Sequence, residues 1–139
     1  MSPGPGVPPA ERRLGYFTQW AAQFFVGAEL TRCGYVVSYP LGNAPVTDLQ
    51  ITSPTGDSFP VEVKGLKSAN FWLVRKPDAS RRRFYIFVLV SAVEPFSAPR
   101  YFIMTAKELA AIHLDAPKGA GANFGPVKAY ENAWRTLPR

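Results

Sequence analysis

Two short segments, 46–53 and 59–64, alternate apolar and polar residues around a three-residue turn, and this pattern restricts the fold more than any other feature of the chain. In the first, Leu49 and Ile51 point one way and Asp48, Gln50 and Thr52 the other; in the second, Val61 and Val63 oppose Glu62 and Lys64. Strict alternation marks strands with one buried face. Between them, Pro54 opens a type I turn and Gly56 suits the left-handed position that follows, so Pro54-Thr55-Gly56 reads as a hairpin loop. If Ser53 pairs with Asp57, Asp48 falls opposite Glu62 on one face, with Lys64 two residues along. Leu49, Ile51, Val61 and Val63 then gather on the other face. A slip of one residue would set Asp48 against Val63 and break both groupings.

The remaining pattern predicts an α/β domain over residues 11–139, preceded by a disordered Pro/Gly-rich tail over 1–10. A first helix is expected from about Glu11 to Cys33, with Leu14, Phe17, Ala21, Phe24, Phe25 and Ala28 as its apolar stripe and Gly34 as its C-cap. A short strand follows at Tyr35–Tyr39, then a turn-rich link at 41–45. Residues 68–83 contain Pro77 and three arginines without a helical period, which predicts a loop with a short strand at 71–74. Strands are expected at 84–90 and 100–104, separated by a Pro-rich turn at 94–99. Thr105 and Glu108 form a capping box for a short helix ending near His113. A Gly/Ala/Pro-rich linker at 116–125 should lead to a last amphipathic helix, opened by Pro126 and burying Val127, Tyr130, Trp134 and Leu137.

The net charge is +6, and its placement matters more than its size. From Lys64 to Arg83 only Asp78 opposes seven cations, so this segment carries the whole excess. A focused basic stretch attracts a phosphate backbone, which makes Lys67, Arg75, Lys76, Arg81, Arg82 and Arg83 candidate nucleic-acid contacts. Cys33 is the single cysteine. It excludes an internal disulfide framework or a cysteine metal cluster, is expected to be a small buried hydrophobe, and fits a reducing, cytoplasmic setting. The N-terminus lacks the basic and apolar regions of a signal peptide, and no apolar run approaches the roughly 20 residues that span a bilayer. A phosphate-cradling Gly-x-x-x-x-Gly-Lys loop is absent from the sequence, so nothing points to a nucleotide cofactor. His113, at a helix end, reads as structural.

Helix, strand, Asp-bearing strand and Glu-x-Lys strand follow one another in this order. With Val46-Thr47-Asp48-Leu49, then Val61-Glu62-Val63-Lys64-Gly65, and Gly27-Ala28-Glu29 on the preceding helix, the chain resembles the PD-(D/E)XK nuclease family over about residues 27–112. The resemblance implies a restriction endonuclease-like fold, a mixed central sheet of about five strands flanked by helices. It also implies a Mg2+-dependent endodeoxyribonuclease (Mn2+ substituting), with DNA as partner and a homodimer as the form that cuts a duplex. Asp48, Glu62 and the Val63 carbonyl would hold the metal, Lys64 would act on the attacking water, and Glu29 would add a further catalytic acid. Gln19 and Gln50 are possible neighbours of that site.

Two departures stand out. Many members place a full helix between the Glu-x-Lys strand and the next, and the family's proline is displaced here, with Thr47 before Asp48 and Pro45 two residues earlier. Two other readings keep the fold or the surface without the chemistry: a catalytically inactive nucleic-acid-binding module, and a protein-interaction domain using exposed aromatics such as Trp72 and Trp134. Tyr85 is expected to be a packing residue.

Overall fold

Ser53 donates its backbone N–H to the Asp57 carbonyl, and Gly56 turns the loop with a φ of 94°. The hairpin therefore closes where its turn chemistry requires. The computed structural model describes residues 10–40, 48–90, 97–117 and 119–139. The expected tail up to residue 9 and the turns at 41–45 and 94–96 lie outside the described residues. Strands β2 (Leu49–Thr52) and β3 (Ser58–Leu66) pair antiparallel, with Leu49 opposite Val61 and Ile51 opposite Phe59. This is the register that the turn and the hydrophobic pattern predict.

With β1 (Val36–Ser38), β5 (Phe84–Leu89) and β6 (Arg100–Thr105), the hairpin builds a five-stranded mixed sheet of order β1-β2-β3-β5-β6. Strands β3 and β5 are parallel, which sets Glu62 beside Tyr85 and Lys64 beside Phe87. A parallel pair needs a long crossover, and residues 67–83 supply it without a helix. Within it, β4 (Phe71–Leu73) leaves the main sheet and pairs with β8 (Gly119–Asn123), which pairs in turn with β7 (Leu114–Ala116). The stretch expected to be a linker at 116–125 is thus largely a strand. Its small residues allow this: a Cβ at Gly121 would come 1.9 Å from the Trp72 carbonyl oxygen, so only glycine admits that approach.

Both faces of the main sheet are covered. One face carries Leu49, Ile51, Phe59, Val61, Val63, Ile86, Val88 and Ile103 against Ala22, Val26 and Leu30 of helix α1 (Ala10–Arg32). The other carries Phe87, Phe102 and Met104 against Trp72, Leu109, Ala122 and Val127, from the small sheet and its neighbouring helices α2 (Ala106–Ile112) and α3 (Phe124–Val127). The capping box forms as expected, with Thr105 and Glu108 bonding reciprocally. Trp72 is 1% exposed, so it offers no surface to a partner.

Three sequence expectations fail here. No single helix follows Pro126: the chain makes α3, a 3-10 turn at Lys128–Tyr130, and a second at Trp134–Thr136 after Asn132 adopts a left-handed φ of 56°. Cys33 is exposed rather than buried. The stripe expected to pack α1 faces outward, with Phe17 60% and Phe24 58% exposed.

The reason for the last is the closeness of the helix to β3. A Cβ at Gly65 would lie 2.9 Å from both the Thr18 carbonyl oxygen and the Ala22 Cβ, a gap that excludes aromatic rings and selects the small-residue side. Gly65→Ala should push α1 off the sheet and cost about 1–3 kcal/mol in urea unfolding; an unchanged midpoint would mean the helix does not pack this tightly.

Candidate active site

Alternation along β3 puts Glu62 and Lys64 on the face opposite the α1 core. Asp48, one residue before β2, continues the hairpin register to stand across from Glu62. Its carboxylate does further work in the backbone. Strand β2 has ended here, leaving the Val63 N–H without a strand partner on that side, and Asp48 Oδ2 accepts from it at 2.8 Å. Gln19, reaching from α1 past the Gly65 gap, continues the same edge: its Nε2 donates to the Val63 carbonyl at 2.7 Å and its Oε1 accepts from the Gly65 N–H at 3.1 Å. The Glu62-Val63-Lys64 backbone is thus held in line beyond the end of its neighbouring strand.

Glu62 lies between two cations, with Lys64 Nζ at 3.8 Å and Arg83 Nη1 at 3.5 Å. Burial raises its pKa above the ordinary carboxylate value; Lys64 opposes this, Asp48 adds to it by like-charge repulsion, and Arg83 and Arg75 oppose it again. Net, burial outweighs the cations and the neutral form is favoured more than in water. Tyr85, one strand away, has its phenol pKa raised first by burial and then by Glu62, while Arg83 bonds to it and lowers it. Glu62, Lys64, Arg75, Arg83 and Tyr85 line a cavity of about 540 Å³ together with Lys76, Pro77, Asp78 and Arg81. The crossover explains the lining: to run parallel, the chain must pass back over this face, and the segment that does so is the basic one.

The cations divide accordingly. Arg75, Lys76, Arg81 and Arg83 line the cavity. Lys67 is exposed outside it. Arg82 is turned away, with its guanidinium paired to both carboxylate oxygens of Asp57 and lying 5.9 Å from the Phe59 ring centroid.

Gln50 shares the polar face but bonds Ser58, toward the turn. Glu29 is not brought to the pair. It sits ten residues beyond Gln19, ~15 Å along the helix, pairs with Arg32, and lines a separate cavity of about 310 Å³ with Trp134 and Arg135. Because α1 covers the other face of the sheet, only a residue near Gly65, as Gln19 is, can reach around its edge. His113 Nε2 lies 2.8 Å from the Val74 carbonyl oxygen, a structural contact. Tyr85 is the site-lining residue that sequence reasoning assigned to packing alone; its place beside Glu62 follows from the parallel pairing of β3 with β5.

Among the described residues no group of three or more His, Cys, Asp or Glu side chains is arranged to hold a metal. The oxygen donors at hand are Asp48, Glu62 and the Val63 carbonyl, which keeps a second lone pair beyond its bond to Gln19. Two carboxylates and a carbonyl suit a hard divalent cation that takes its remaining ligands from water and phosphate.

The fold is shared with a protein of known structure. A solved structure that matches it is a bacterial homing endonuclease, I-Ssp6803I, with a TM-score of 0.58 over 87% of this chain and 88% of that one, at 19% identity. The likeness is one of fold. No protein-family model and no curated protein matches the chain.

A carboxyl group that holds its proton more tightly in the folded than in the unfolded state loses stability as pH rises through the folded pKa. Glu62→Gln removes that penalty. The variant should melt higher than the parent at pH 7 and nearly equal to it at about pH 3.5, where both side chains are neutral. A lower Tm at pH 7 would show that the charged form is favoured by the fold.

Proposed function

We propose that the protein is a metal-dependent DNA endonuclease of the PD-(D/E)XK type, with Asp48, Glu62 and Lys64 as its reactive centre. The observation that carries this reading is the hairpin register: continued one residue past β2 it sets Asp48 across from Glu62, and Glu62 with Lys64 lines a cavity rich in arginine and lysine. Its likeness in fold to a homing endonuclease is in keeping with it.

Asp48, Glu62 and the Val63 carbonyl would hold Mg2+, with Mn2+ as substitute. The cation would supply Lewis acidity and offset charge building on the scissile phosphate. Arg75, Lys76 and Arg81 draw the nucleic-acid backbone into the cavity and neutralise phosphates. Lys64, two residues along the strand from Glu62, orients the attacking water and balances negative charge in the transition state. Arg83, already at Glu62, is placed to pass from the carboxylate to a phosphate oxygen. Gln19 keeps the Val63 and Gly65 peptides in line so that Glu62 and Lys64 stay on one face.

The decisive variant is Lys64→Met, which keeps much of the length and apolar stem. Its one charge among many makes little difference to binding, whereas its position beside the reacting phosphate makes a large difference to chemistry. With plasmid DNA and Mg2+ the variant should retain affinity and lose cleavage by at least about a hundredfold. Asp48→Ala should in addition abolish the rise in Tm caused by Mn2+. Near-normal cleavage by Lys64→Met would overturn the assignment.

A further inference from the structure

Helix α1 is apolar on the side that its own sheet does not use. At 100° per residue, Ala22, Val26 and Leu30 point to the sheet, while Phe17, Trp20, Ala21, Phe24, Phe25 and Ala28 occupy the opposite half of the circumference and Tyr16 stands at its border. Tyr16 is 57%, Phe17 60%, Phe24 58% and Phe25 40% exposed. The rings form a continuous surface: Tyr16 contacts Phe17 and Trp20, Trp20 contacts Phe24, and Phe24 contacts Tyr39. Between Leu14 and Ala28 there is no charged residue. A helix apolar all round is normally buried all round.

We propose that this face is an interface with a second copy of the chain, two α1 helices packing antiparallel about a two-fold axis near Trp20 and Ala21. Three observations choose this occupant. The first is symmetry. Tyr16 and Phe24 stand four residues either side of Trp20, so an antiparallel two-fold sets Tyr16 of one copy on Phe24 of the other, twice over, while Ala21 allows the helices to approach. An isologous interface requires this self-complementarity.

The second is charge. The chain is net +6, yet the cations of 64–83 lie on β3 and the crossover, and α1 is uncharged between Leu14 and Ala28. Two like-charged copies can meet there without bringing ionised groups together. A membrane-surface helix, by contrast, is rich in Lys and Arg along its length, whereas α1 has none between Leu14 and Ala28. The third is area. Four rings of ~150–250 Å² each, about half bare, leave on the order of 400 Å² exposed. That is roughly half of the ~800 Å² that each partner contributes to a stable interface, and Trp20, Ala21, Ala28 and the ends of the helix add to it.

The proposal is independent of the nuclease reading, because self-association is measured on the full chain without DNA. Sedimentation equilibrium should give a dimer at micromolar concentration. The double substitution Phe17→Glu, Phe24→Glu, at positions already exposed, should weaken it at least about a hundredfold while leaving the circular dichroism spectrum of the folded chain unaltered. A wild-type chain that stays monomeric up to about 100 µM would overturn the proposal. If that monomer floated with phosphatidylcholine–phosphatidylserine vesicles, the face would belong to lipid. A double variant that remains dimeric would also overturn it, by moving the interface elsewhere. Failure of DNA cleavage would leave these results untouched.

Discussion

The pairing of β2 with β3 is the constraint on which the rest of the molecule depends. Because side chains alternate with period two, a single register simultaneously puts Leu49, Ile51, Val61 and Val63 into the α1 core and Asp48, Glu62 and Lys64 onto the other face. The core and the site are two consequences of one hydrogen-bond ladder. Where the ladder runs out, Asp48 and Gln19 replace the missing strand with side-chain bonds to Val63 and Gly65. The backbone that carries Glu62 and Lys64 is therefore fixed from both edges, by β5 on one side and by these two side chains on the other.

This rigidity comes with electrostatic strain. Glu62 is placed where burial and Asp48 both oppose its charge, and the arginines that relieve it arrive from a crossover that owes its course to the parallel pairing of β3 and β5. The same topology that demands a long connection supplies the cations that line the cavity. Arg82 shows how selective this is: within the run 81–83, it alone is paired with Asp57 at the hairpin turn, while its two neighbours line the cavity.

The hairpin, its register, the capping box at Thr105 and the short strand at 71–73 were legible in the sequence because each is set by local chemistry: turn residues, alternation, a side chain bonding its own helix end. The face of α1 was not. Periodicity located its most apolar stripe, but packing followed steric approach, and Gly65 with Ala22 brought the small-residue side to the sheet. Glu29, which the resemblance implies for the site, lies too far along α1 from Gln19 to reach it and pairs with Arg32 instead. The strand at 119–123 was missed because glycine and alanine have low strand propensity alone, and only the close passage of Trp72 makes them the residues that fit. Tyr85 was assigned to the core, correctly as to burial, but its contact with the site depends on a strand pairing that no local signal encodes.

The central claim is that the register makes a cation site from Asp48, Glu62 and the Val63 carbonyl. Substoichiometric Mn2+ added to the isotopically labelled chain tests it directly, since a bound paramagnetic ion broadens the resonances of nearby amides. The account predicts that the amides of Glu62, Val63 and Lys64 disappear first, together with that of Asp48, while those around Glu29 and Arg32 persist. Broadening centred on Glu29, or spread evenly over exposed carboxylates with none preferred, would contradict it.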